Sequence, residues 1–140
     1  MPLLLSAYLC FQGAPSAVAS WRAVGAMTMT VSTRRAAPGE RLSAEVTLHR
    51  EVTRLDAALR FYDSASEAKD YLAGVWPLDV TLSNGTGGTT ARVVARIPPD
   101  AAPTADGKDD VWRRWEFEVW VEHGAHRTSQ SEDIEVVRPG

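Results

Sequence analysis

At 140 residues, with a formal net charge of -3 and 44% hydrophobic residues, the chain has the length of one domain and enough bulk to bury a core without metal or disulfide staples. This ordinary balance excludes global disorder, and the mild acidity argues against a nucleic-acid partner, which would need a basic face. Cys10 is the only cysteine, so an intramolecular disulfide and a thiolate metal site are both ruled out.

No charged residue precedes Arg22, and LLLSAYLCF (residues 3–11) has the length of the apolar core of a secretory signal. Ala17-Val18-Ala19 places small residues at both recognition positions for cleavage before Ser20. A basic start is missing, and residues 1–21 are about long enough for one membrane span, though Gln12, Gly13 and Pro15 dilute its apolar character. We expect a signal peptide or membrane tether over 1–21, a single β-sandwich over 22–140, and an extracytoplasmic location: secreted, periplasmic or tethered. A cytoplasmic N-terminus, or a start partway through a longer membrane protein, are the alternatives. Cys10 follows Ala7-Tyr8-Leu9, which does not fit a lipoprotein processing site.

From Ala26 onward apolar residues recur at every second position, the alternation of a half-buried strand. Met27, Met29 and Val31 form the inward set of the first strand; Pro38-Gly39 is a turn; Leu42, Ala44, Val46 and Leu48 form the next inward set. The third strand turns Leu55, Ala57, Leu59 and Phe61 inward and Asp56, Arg60 and Tyr62 outward. In DSASEAKDYLAG, Ser64 and Glu67 have capping-box spacing and Gly74 is a stop, predicting a helix of at most about two turns. VWPLDVTLS reads as the fourth strand, with Trp76, Leu78, Val80 and Leu82 inward and Pro77 marking an edge or a start. Asn84-Gly85 predicts a tight hairpin, Thr89 begins the fifth strand with Val93, Ala95 and Ile97 inward, and PPDAAPTADGKDD is a long loop. DDVWRRWEFEVWVEHG (residues 109–124) makes the sixth strand and DIEVVRP the seventh. Seven short strands bounded by Pro, Gly and Asn turns indicate an all-β, antiparallel, immunoglobulin-like sandwich.

In the sixth strand Trp115, Phe117, Val119 and Val121 share one face, and Trp112, Arg114, Glu116, Glu118, Trp120 and Glu122 the other. Burying each large apolar side chain is worth about 1.5–3 kcal/mol, while unpaired buried carboxylates cost more, so the first set is core. Trp120 is left among glutamates on the outer face. An immunoglobulin-like order pairs this strand with the third and seventh, bringing Asp56, Arg60 and Tyr62 alongside, with Glu135 and Val137 on the other flank. One reading pairs Arg60 and Arg114 with the glutamates and packs Trp120 on side-chain stems. The other makes Trp120, Trp112, Tyr62, Arg60 and Glu118 a contact surface for a protein partner or neighbouring domain.

Other chemistry is weak. His123 and His126 lie three apart with Glu122 and Asp133 near in sequence, a weak metal candidate, and no cofactor is indicated. The sequence has no nucleophile elbow, no catalytic-cysteine context and no zincin motif. Asn84-Gly85-Thr86 fits a glycosylation acceptor, meaningful in a eukaryotic secretory pathway. The expected function is therefore a non-catalytic interaction module, with a carbohydrate- or metal-binding module as the alternative and a hydrolase behind both.

APGERLSAEVTL (residues 37–48) resembles the turn and alternating strand that open arrestin-like β-sandwiches. The proline-bounded loop, the Trp-led strand and the closing EDIEVV are similar to the end of that group, especially its bacterial membrane-attached members of unknown function. The resemblance covers residues 26–137 and implies structural roles: Pro38, Gly39 and Glu40 shape the first turn, Pro98 and Pro103 the long loop, and Trp115 the core. One sandwich is present, and no basic phosphate-sensing cluster is recognisable.

Overall fold

The structure, a computed structural model, describes residues 27–138 and not the side chain of His123. Residues 1–21, Cys10 and the His123 imidazole therefore lie outside the described residues. Among the described residues ten strands follow in order: β1 Met27–Val31, β2 Arg35–Ala36, β3 Arg41–Leu48, β4 Asp56–Asp63, β5 Leu72–Pro77, β6 Asp79–Gly85, β7 Gly88–Arg96, β8 Ala105–Asp106, β9 Trp112–His123 and β10 His126–Val136. They form two sheets, one in the order β2-β10-β9-β4-β5 with β8 against β9, the other β1-β3-β7-β6. All pairings are antiparallel except β2 with β10.

The expected all-β sandwich is the fold, and its core is drawn from the expected parity set, except that Trp76, expected on the core face, is 37% exposed on the edge strand β5 and Leu78, Val80 and Leu82 are only partly buried. Val46, Leu59, Val93, Ile97, Phe117 and Val119 are fully buried where the two inner faces meet. Trp115 is stacked between Phe61, 4.4 Å away centroid to centroid, and Trp76 at 5.4 Å, and its indole N–H donates to the Ala102 carbonyl at 2.9 Å. That bond fastens the long proline loop to the core. The first turn behaves as the resemblance implies. Gly39 takes the left-handed φ of 86°, the Glu40 carboxylate accepts the Ala37 N–H at 2.9 Å, and Gly39 and Glu40 exchange backbone bonds with Ile97.

Four further sequence expectations are corrected. The helix after Asp63 is a single 3-10 turn, Lys69–Tyr71, leading into β5. The polar side chains here bond to backbone instead of capping a helix: the Asp63 carboxylate accepts the Ala65 N–H, the Ser66 hydroxyl donates to the Leu72 carbonyl, and the Ser64 hydroxyl accepts the Trp112 N–H. The expected fourth strand is two. Pro77 ends β5 on the larger sheet, Leu78 donates its N–H to the Ala57 carbonyl, and the chain resumes as β6 on the smaller one. The hairpin turn is Thr86-Gly87, with Gly85 paired to Gly88, because the left-handed backbone falls on Gly87 (φ 89°). Finally, the last strand begins seven residues upstream of the expected Asp133, at His126.

Candidate functional site

The candidate residues lie on the outward face of the larger sheet, positioned by the register of β9. Arg114 stands opposite Tyr62, Glu116 opposite Arg60, and Trp120 opposite Asp56 on β4. On the other flank, Asp133, Ser131 and Ser129 of β10 face Glu116, Glu118 and Trp120, so Glu135 and Val137 do not flank the centre of the face as expected. Glu135 instead sits against Arg35 of β2.

Arg60, Glu118 and Trp120 form one cluster, which also takes in Arg127, a residue the sequence reading did not single out. Arg60 forms an ion pair with the Glu118 carboxylate, which Arg127 approaches to 3.7 Å. The two guanidiniums lie over the Trp120 ring, at 5.4 Å and 4.5 Å from its centroid. Trp120 is half-buried beneath them, an arrangement in which cation–π attraction and ion pairing hold four side chains in place. Arg114 covers the Tyr62 ring at 4.7 Å and reaches Asp133 at 4.0 Å.

Beside this cluster runs an open apolar groove of about 380 Å³, lined by Leu55, Ala58, Val75, Pro77 and Trp120 among others. Ala58 has outward parity yet is only 2% exposed. Trp112 stands apart at the start of β9, edge-on to Tyr71 at 5.2 Å.

Glu116 has no basic partner within ion-pair distance among the described residues; its nearest polar contact is the Tyr62 hydroxyl at 3.5 Å. Burial lifts its carboxyl above the ordinary glutamate range, and Glu118 and Asp133 add to this, against the weaker opposing pull of Arg114 and Arg60. Because the folded value is raised, the stabilisation linked to proton uptake is complete below the ordinary glutamate range and is lost as pH rises through the folded value. Glu116→Gln is expected to flatten stability against pH in that window, read as the urea midpoint measured stepwise from acid to neutrality. An unchanged slope would remove Glu116 as the cause.

His123 and His126 are backbone register partners across the β9–β10 turn, and no cluster of three or more metal-ligating side chains occurs among the described residues. No helix among the described residues is long and apolar enough to cross a membrane.

No protein-family profile matches the sequence, and no curated protein does. Among solved structures, the chain is similar to a DUF4785 family protein from Legionella pneumophila, with a TM-score of 0.50 and 16% identity, over 79% of this chain and 28% of that one. It is also similar to Spo0M, a sporulation control protein from Bacillus subtilis, with a TM-score of 0.47 and 13% identity, over 79% of this chain and 48% of that one. The chain thus spans less than half the length of either structure, and the likeness to the first concerns the sandwich fold alone.

Proposed function

We propose that the chain is a non-catalytic interaction module that binds a protein partner or a neighbouring domain through the outward face of its larger sheet. The observation that carries this reading is the Trp120 cluster. A tryptophan and two arginines, the residue types that most often dominate binding energy, are held in place by Glu118 beside an apolar groove. Side chains already ordered before contact lose less entropy on binding. The same ion pairs account for the charges without a partner, so the reading rests on the combination with the groove.

The test is capture from the native host with the full chain as bait. Trp120→Ala is expected to leave folding nearly intact and to lose a protein that the unaltered chain retains. Equal recovery by both baits, or none by either, would refute the reading.

An arrestin-like ancestry is part of the proposal, supported by the Pro38-Gly39-Glu40 turn locked onto Ile97. So is an extracytoplasmic location, with residues 1–21 as signal or tether. In an exporting host the mature protein is expected to begin near Ser20, as measured by intact mass. An uncut Met1 chain in the soluble cytoplasm would count against export.

A further inference from the structure

We infer that the part of this face at the open edge of the larger sheet receives a partner segment that is both apolar and basic; this rests on the interaction reading above and adds the partner's chemistry. Among the described residues, three exposed large apolar side chains belong to this edge: Val75 on the outward face of β5 opposite Arg60, Tyr71 just before β5, and Val111 just before β9. Trp112 joins them through its edge contact with Tyr71. Isolated exposed apolar side chains need no explanation, but a concentration of them at one edge marks a contact site.

The local backbone gives a second, independent sign. Asp70 and Tyr71 are consecutive non-glycine residues with positive φ, 57° and 62°, a conformation that costs energy for a side chain as large as tyrosine. The strain holds Tyr71, 50% exposed, out against Trp112.

The edge is not suited to adding another strand. Pro77 has no N–H to offer, and the register of β5 slips beside Phe61 and Tyr62, two devices that blunt a sheet edge. Recognition here must therefore use side chains. The surrounding charge fixes the sign of the partner. Glu67, Asp70, Asp109 and Asp110 lie in the two segments that bracket Tyr71 and Trp112, and none of the four forms an ion pair among the described residues. The nearby Lys108 is engaged by Asp106 and Arg113 by Asp63, while Lys69, beside Asp70, forms no ion pair among the described residues and offsets one of the four carboxylates. An apolar centre whose rim sets four carboxylates against Lys69 alone, and so stays net acidic, is complementary to aromatic or aliphatic side chains flanked by lysine or arginine.

The experiment pans a display library of short random peptides on the full chain. Enriched peptides are expected to combine large apolar residues with Lys or Arg. Their affinity should fall at least about tenfold for Asp109→Lys combined with Asp110→Lys, an effect that high salt diminishes, because the loss is electrostatic. Tyr71→Gly, whose backbone suits the left-handed conformation, should weaken them at any salt. Enrichment of acidic or uncharged peptides, or affinities that neither variant changes, would overturn the inference. Peptides lost with Trp120→Ala but indifferent to Tyr71→Gly and the lysine variants would overturn it while leaving the interaction reading standing, and no enrichment over bare support would remove both.

Discussion

Replacing Trp115 with alanine is expected to cost about 3–5 kcal/mol of folding stability, the range for removing a large aromatic from a packed core. Trp115 is 1% exposed and lies in the stack of Phe61, Trp115 and Trp76. Alanine leaves a cavity that two rigid sheets cannot close, and it strips the Ala102 carbonyl of its indole donor, removing one tie of the proline loop while Thr104 stays bonded to Val136. Trp120 is the control on the same strand. It is half-buried under two guanidiniums, so its loss forgoes mainly cation–π attraction, about 1 kcal/mol at a partly exposed site. Urea titration of both variants reads the difference as a shift in midpoint at constant slope. Equal losses would mean that both faces of β9 are core and would dissolve the candidate site.

Much of the fold was legible because alternation and turn chemistry agree. Leu42, Ala44, Val46 and Leu48 on β3, and Ala57, Leu59 and Phe61 on β4, all point inward as their parity requires. Legibility failed where inward positions are not apolar. The first half of β10 turns Thr128, Gln130 and Glu132 toward the core side, at a sheet edge where Gln130 donates to the Met27 carbonyl and Glu132 pairs with Arg34. Without an apolar period those residues looked like loop, and Arg127, the second cover of Trp120, was hidden with them. The split of β5 from β6 was concealed for the opposite reason. Trp76, Leu78, Val80 and Leu82 keep one unbroken alternation across a change of sheet, and only Pro77 marks the crossing. Of the site, Arg60 with Glu118 and the outward Trp120 were foreseen from β9 parity. Tyr71 was not, because its exposure depends on a left-handed backbone that no local pattern announces for tyrosine.

Gly88→Ala is the second substitution expected to be severe, at about 3 kcal/mol or more, because the added atom meets backbone and not a movable side chain. A Cβ at Gly88 would stand 2.1 Å from the Leu48 carbonyl oxygen and 3.3 Å from the Cα of His49. Relief requires β7 to move off the end of β3. The next residue resists that movement: Thr89 is 1% exposed, its hydroxyl donates to the Asn84 side chain, and it accepts the Val52 N–H at 2.9 Å. Separating the strands would therefore break the link between the β6–β7 hairpin and the loop entering β4. The other glycines of this hairpin set the scale. Gly85→Ala meets nothing within 4 Å and should fall within about 0.5 kcal/mol of the unaltered protein. Gly87→Ala also has open space but must adopt a φ of 89°, a backbone cost of about 1–2 kcal/mol. Urea midpoints in the order Gly85→Ala, Gly87→Ala, Gly88→Ala from most to least stable would locate the constraint in the β3–β7 contact. A Gly87 variant worse than the Gly88 variant would place it in the turn instead.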